Sequence, residues 1–88
     1  MNKELLFKDA AWDDYLYWQT QDKKTLKRIN ELIKDINRNP FDGIGKPELL
    51  RSDKQGYWSR RIDDINRIVY KIENNKIIIV QCKGHYSD

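Results

Sequence analysis

The groups of this chain that can do chemistry gather in its second half: Glu48, Arg51, Arg61, Arg67, His85 and Tyr86. They comprise one carboxylate, three guanidinium groups, the only histidine of the chain and a phenol. Cleaving RNA without a metal asks for such groups. A base takes the proton of a 2′-hydroxyl, an acid protonates the departing 5′-oxygen, and cations hold the charge that builds on the phosphate. Arginine suits the last duty because its planar fork matches phosphate oxygens and stays protonated. A tyrosine can stack on a base or orient a phosphate. An imidazole free in water titrates at about 6.5 and a free glutamate at about 4.3, which divides the work between a histidine acid and a glutamate base.

Each residue also has a plainer duty. Glu48 can be a loop carboxylate paired with Lys46 or Arg51, and Arg51 a solvated surface charge. Arg61 and Arg67 can pair with Asp63 and Asp64. His85 can be a solvated histidine near a terminus, and Tyr86 can lay its ring on the sheet. On spacing alone, a module that binds nucleic acid or protein stands ahead of catalysis.

The elements that must position these groups are legible from periodicity. Glu4 to Phe7 is a short apolar segment and reads as an opening strand. Asp9 is placed to cap a helix from Ala10 to about Gln21, whose stripe of Trp12, Tyr15, Leu16 and Trp18 reads as core. Asp22 caps a second helix running to about Asn37, with Leu26, Ile29, Ile33 and Ile36 on one face and Lys23, Lys24, Lys27, Arg28 and Lys34 on the solvated remainder. The short turn between them implies an antiparallel helical hairpin. Asn39-Pro40 stops the second helix. From there to Gln55 the chain reads as a long loop with Gly43, Gly45 and Pro47, and it carries Glu48 and Arg51.

Tyr57 to Ile62 and Asn66 to Ile72 then read as a hairpin, and Asn74-Asn75 as a tight turn into a final strand from Lys76. The β-branched run Ile77 to Val80 suits an interior strand buried on both faces. Pairing Ile72 with Ile77 puts Ile68, Tyr70, Ile72, Ile77 and Ile79 on one face, joined by Trp58 and Ile62. The same register sets Arg61 opposite Arg67 on the other face, where two like charges repel unless an anion lies between them. Strict alternation would then put Tyr86, not His85, on the arginine face, unless Gly84 breaks the strand. The expected fold is α+β, in the order β-α-α-β-β-β. A helical hairpin packs on one face of a small antiparallel sheet, in a single domain over residues 1–88.

Composition narrows the class. At 88 residues the chain can bury one modest core. Seventeen Lys and Arg against 14 Asp and Glu leave a net charge of +3, compatible with a nucleic-acid partner without being diagnostic of one. Cys82 alone can form no internal disulfide and reads as a core residue, which fits a reducing cytoplasm. The N-terminal stretch is charged again at Lys8 and Asp9 and does not read as a secretory signal. No apolar run approaches membrane-spanning length. No Cys/His spacing points to zinc, no glycine pattern to a phosphate loop, and no cofactor is implied.

Several stretches carry a resemblance: Trp-Asp-Asp-Tyr-Leu-Tyr-Trp (12–18), Lys-Arg-Ile-Asn-Glu-Leu-Ile-Lys-Asp (27–35), Asn-Pro-Phe-Asp-Gly-Ile-Gly-Lys-Pro-Glu (39–48), Tyr-Trp-Ser-Arg-Arg-Ile (57–62), Asn-Arg-Ile-Val-Tyr (66–70) and the terminal His-Tyr. In this order the chain resembles the YoeB/Txe toxins of the RelE/ParE superfamily over nearly its whole length. The resemblance implies the toxin half of a toxin–antitoxin pair that cleaves mRNA in the ribosomal A site. It implies Glu48 as general base, His85 as general acid, Arg67 and Arg61 as phosphate stabilisers, and Tyr86 in substrate positioning. Arg51 stands where relatives often carry lysine, which keeps the charge and changes the shape. Ser87 and Asp88 extend beyond the tyrosine at which relatives tend to stop. The implied partners are a cognate antitoxin, the ribosome and mRNA, with no membrane; a homodimer stays open. Two rival readings remain: a ParE-like inhibitor of a protein target, which does not need the Glu/Arg/His set, and a non-catalytic RNA-binding module.

Overall fold

The computed structural model describes residues 3–51 and 56–85. Its elements run β1 (Glu4–Phe7), α1 (Asp9–Gln21), α2 (Lys23–Arg38), β2 (Glu48–Leu49), β3 (Tyr57–Arg61), β4 (Arg67–Glu73) and β5 (Lys76–Gln81). The helices part at Asp22, whose extended backbone ends α1 and whose carboxylate accepts from the Lys24 and Thr25 amides to start α2. These amides have no helical acceptor of their own, so the cap fixes the break. Hydrogen bonds from the Thr25 hydroxyl and amide hold the Asp22 carboxyl below its usual range. Asp9 does not cap α1 as expected. Lys8 occupies the cap position without a side-chain bond, and Asp9 lies in the first turn, where a carboxylate meets the positive end of the helix.

Helix α2 buries Ile29, Leu32 and Ile36 completely, with Leu26 and Ile33 packed at the margin. The aromatic stripe expected as core on α1 is only partly so. Trp18 is buried, whereas Trp12 and Leu16 are exposed, Trp12 stacking on Tyr15 beside Phe7. Both helices cover a sheet of order β1-β5-β4-β3-β2. The expected antiparallel hairpins are present, with Ile72 paired to Ile77 and Arg61 to Arg67. Asn74 and Asn75 turn between them at φ 50 and 61, the left-handed pair that a two-residue hairpin loop requires. The sheet gains two features beyond expectation. β1 runs parallel to β5, and Glu48–Leu49, read as loop, forms a short edge strand on β3.

β5 lies inside the sheet, but only one of its faces is fully buried: Ile77 and Ile79 are enclosed while Ile78 and Val80 are half-buried. The core face also takes Ile62, Ile68, Tyr70 and Cys82, with Trp58 and Ile72 packed against them. Tyr70 pairs with Ile79 and Val69 with Gln81, so Val80 is an extra residue in a bulge. Alternation reverses there. Gln81 joins Val69 on the face away from the helices, and Cys82 turns into the core.

Candidate active site on the open face of the sheet

Residues directly opposite in a sheet share a face. Glu48 pairs with Ser59, Ser59 with Val69, and Val69 with Gln81. Glu48 therefore heads a ladder across the face that the helices leave open. Two residues along β3 from Ser59, Arg61 stands opposite Arg67 at one end of that ladder. The Arg61 amide donates outward to Gly45 at 2.6 Å and the Arg67 amide outward to Gly84 at 3.0 Å. With both amides turned away, the arginines form a non-hydrogen-bonded pair, the type with Cα atoms closest, about 4.5 Å apart. Two guanidinium groups thus start from adjacent points on one face.

They are not equivalent. Arg61 is exposed, while Arg67 is half-buried and gives Nη1 to the carbonyls of Asp63 at 2.7 Å and Asn66 at 3.1 Å. The ion pairs that could have occupied these arginines do not form among the described residues. The Asp63 carboxylate instead accepts the amides of Ile65 and Asn66. Partial burial pushes the Asp63 carboxyl up, but the Asn66 and Ile65 hydrogen bonds outweigh it and hold its pKa below the usual range.

The C-terminal segment reaches this place under restraint. Cys82 is tied to α1 three ways: its amide donates to Asp14 Oδ2 at 3.0 Å, its carbonyl accepts Trp18 Nε1 at 2.8 Å, and its thiol faces the Ala11 carbonyl. Burial, with Asp14 adding to it, pushes that thiol up to about 12. Gly84 then turns at φ +88, its carbonyl on the Arg67 amide and its amide on Asn66 Oδ1 at 2.7 Å. His85 follows one residue later and is exposed. The parity that would have put Tyr86 on the arginine face is already lost at the Val80 bulge, and the turn at Gly84 ends the strand logic altogether. Tyr86 lies outside the described residues. Arg51 is exposed and follows Leu50, whose amide bonds the Tyr57 carbonyl. Among the described residues, no hydrogen bond or ion pair engages the side chains of Glu48, Arg61 or His85.

On the core face of β3, between Ser59 and Arg61, lies a residue that sequence reasoning passed over. Arg60, wholly enclosed, has five N–H donors and uses them all. Nε meets the Tyr70 hydroxyl, Nη1 meets Asp35 Oδ2 at 2.7 Å and the Ile44 carbonyl at 3.1 Å, and Nη2 meets the carbonyls of Asn39 at 2.5 Å and Asp42 at 2.8 Å. The Ile44 amide, then Arg60, hold the Asp35 carboxyl below its usual range against partial desolvation. Burial pushes the Tyr70 phenol up against the opposing pull of Arg60. The loop from Asn39 to Gly45 is thereby wrapped around one guanidinium. Gly43 is required there, since a Cβ on it would lie 2.0 Å from Asp35 Oδ2.

The model of the YoeB-like toxin of bacterial type II toxin-antitoxin system matches residues 7–86. The chain belongs to the YoeB family. Toxin YoeB of Streptomyces coelicolor is 52% identical over 82 residues, covering 93% of this chain and 98% of that one. The YoeB dimer from Staphylococcus aureus superposes with TM-score 0.91 at 48% identity, covering 98% of this chain and 100% of its own. A heterotetrameric YoeB-YefM toxin-antitoxin complex from Staphylococcus aureus gives TM-score 0.88 at 48% identity, with the same coverage.

Within this YoeB-family fold, the Trp-Ser-Arg-Arg-Ile stretch has two arginines with opposite duties. Alternation from Trp58 and Ile62 signals that Arg60 points inward, and the expectation that charge stays outside masks that signal. Asn66 and Gln81 were likewise missed as site neighbours. Gln81 reaches the open face only through the bulge and donates to the Gly84 carbonyl. No helix among the described residues is long and apolar enough to cross a membrane.

Proposed function

We propose that this YoeB-family toxin is a ribosome-dependent mRNA endoribonuclease of the cytoplasm, working with side chains alone. Glu48 takes the proton from a 2′-hydroxyl, and the freed oxygen attacks the adjacent phosphorus. The bond to the 5′-oxygen breaks, and that oxygen takes a proton from His85. The products are a cyclic phosphate and a 5′-hydroxyl end. Arg67 and Arg61 hold the charge that accumulates on the phosphate oxygens. Arg51 and Tyr86 bind flanking substrate. The observation that carries this reading is the close Arg61–Arg67 pair on the open face, with Glu48 on the neighbouring strand and the His85-bearing turn bonded to the Arg67 backbone. An anion between the arginines removes their repulsion, and a scissile phosphate is such an anion.

The partners under this reading are the ribosome, mRNA and a cognate antitoxin, for which the Staphylococcus aureus YoeB-YefM complex gives support. The Staphylococcus aureus dimer supports self-association as well. Mapping mRNA cuts in a translation extract tests the core of the proposal. Cuts ending in cyclic phosphate should appear with ribosomes and vanish without them. Intact mRNA under conditions that arrest growth would shift the case to a protein target of the ParE kind. Expression without antitoxin should arrest bacterial growth, and harmless expression of the folded chain would count against any toxin role.

A further inference from the structure

Asn66 sits where the hairpin turn, the guanidinium of Arg67 and the C-terminal segment meet, and each of its polar groups is used. Its Nδ2 donates to Asp63 Oδ2 at 3.1 Å and Oδ1 at 3.2 Å. Its Oδ1 accepts the Gly84 amide at 2.7 Å. Its carbonyl accepts the Ile62 amide and Arg67 Nη1. Chemistry fixes the way its amide points. Turned over, the carboxamide oxygen would face a carboxylate and the NH2 would face an N–H, repulsive contacts in place of the three hydrogen bonds. The Asp63 carboxylate is itself held by the Ile65 and Asn66 amides. An unbroken chain of hydrogen bonds thus runs from the β3–β4 turn through Asn66 to Gly84, the residue before His85.

The same turn orients Arg67, through the Asp63 and Asn66 carbonyls. We infer that Asn66 is a positioning residue that couples the two candidate catalytic groups: its side chain sets the Gly84 turn that carries His85, while its carbonyl sets the Arg67 guanidinium. Among the described residues, the Gly84 turn is otherwise attached through its carbonyl, to the Arg67 amide and Gln81 Nε2. Losing the Asn66 bond leaves it a hinge about that carbonyl. An error of about 1 Å in placing an acid can cost on the order of 10²-fold in rate.

This inference rests on the proposed roles of Arg67 and His85, so the test has one arm that needs no RNA. Hydrogen exchange at the Gly84 amide is compared in wild type, Asn66→Ala, Asn66→Asp and the swap Asp63→Asn/Asn66→Asp. In the swap, residue 63 supplies the NH2 and residue 66 the acceptors, so both links are rebuilt with net charge unchanged. Exchange should quicken about tenfold in Asn66→Ala, as for loss of one ordinary hydrogen bond. It should quicken less in Asn66→Asp, where a carboxylate oxygen still accepts from Gly84 but repels Asp63, and return in the swap. The second arm measures single-turnover cleavage on programmed ribosomes at saturation. Both single variants should lose about 10–100-fold in maximal rate with ribosome affinity unchanged, and the swap should recover most of it. A purely structural residue would lower the melting temperature and leave the rate per folded molecule intact, and that result overturns the inference. So does unchanged Gly84 exchange in Asn66→Ala, or a swap that does not recover. If His85→Gln cleaves at the wild-type rate, the catalytic reading itself has failed and the coupling falls with it, even where the exchange arm shows the hydrogen bond intact.

Discussion

Arg60 and Asp35 meet at 2.7 Å beneath the loop that leads to Glu48, with the Arg60 side chain fully enclosed. Removing one member leaves the other charge in the interior without its partner, which costs on the order of 3–5 kcal/mol. Asp35→Ala should approach that figure in urea unfolding. Asp35→Asn should cost less, because an amide oxygen still accepts from Ile44 and Arg60. The Ile44 amide and Arg60 hold the Asp35 carboxyl below its ordinary 3.8, so its contribution is fully present above that pH and is lost as pH falls through the lower folded value. Wild-type melting temperature should drop below about pH 4 more steeply than that of Asp35→Asn. Parallel acid profiles for the two would mean the carboxylate contributes no pH-dependent stability.

The arginine pair on the open face should separate into a cheap member and a costlier one. Arg61 repels Arg67 and its side chain bonds nothing among the described residues, so Arg61→Ala should leave stability unchanged or raise it by a few tenths of a kcal/mol, roughly. Arg67→Ala gives up two hydrogen bonds to turn carbonyls and should lose about 1 kcal/mol. Both should lower single-turnover cleavage by about 10²–10³ if they hold the phosphate. Unfolding of either variant with activity per folded molecule intact would remove that residue from the mechanism.

Much of this arrangement was written in local patterns. Asp22 before Lys-Lys-Thr gave the break between helices, and Asn74-Asn75 between two β-branched runs gave the turn that locks Ile72 to Ile77 and hence Arg61 to Arg67. What stayed hidden depends on partners distant in sequence. A two-residue strand such as Glu48–Leu49 has no periodicity to read and exists because β3 offers it an edge. The Val80 bulge is a property of two strands together, yet it decides which way Gln81 and Cys82 face. Arg60 needed five acceptors gathered from three stretches of the chain, α2, the loop that follows it and β4, before its burial made sense.

Two glycines of positive φ should respond very differently to alanine. At Gly43 a Cβ collides with the Asp35 carboxylate that holds Arg60, and the backbone is strained as well. At Gly84 the space is open and only the φ of +88 resists. Gly84→Ala should therefore cost about 1–2 kcal/mol, the penalty of left-handed backbone for a residue with a Cβ. Gly43→Ala should cost clearly more in the same denaturant titration, because it breaks a buried network. The reverse order would mean that the loop around Arg60 yields easily.

The sharpest expectation concerns His85 and Glu48. Glu48 is fixed by pairing with Ser59 on an edge strand, and His85 by a turn bonded to Asn66 and Arg67. Each stands on backbone held in place and neither side chain has a structural bond among the described residues, so substitution should alter chemistry with little effect on folding. Help from a positioned acid or base is worth typically about 10²–10⁴-fold. His85→Gln should lose that much in single-turnover cleavage on programmed ribosomes, with ribosome affinity and melting temperature close to wild type. Glu48→Gln should lose as much, or less where another group at the reaction site takes the 2′-hydroxyl proton in its place. If the two act as a unit on one transferred phosphate, the double variant should lose less than the product of the single losses. A multiplicative double loss would instead mean independent roles. Near-wild-type turnover by His85→Gln at saturating ribosome would take the histidine out of the reaction and leave the open face a binding surface for RNA.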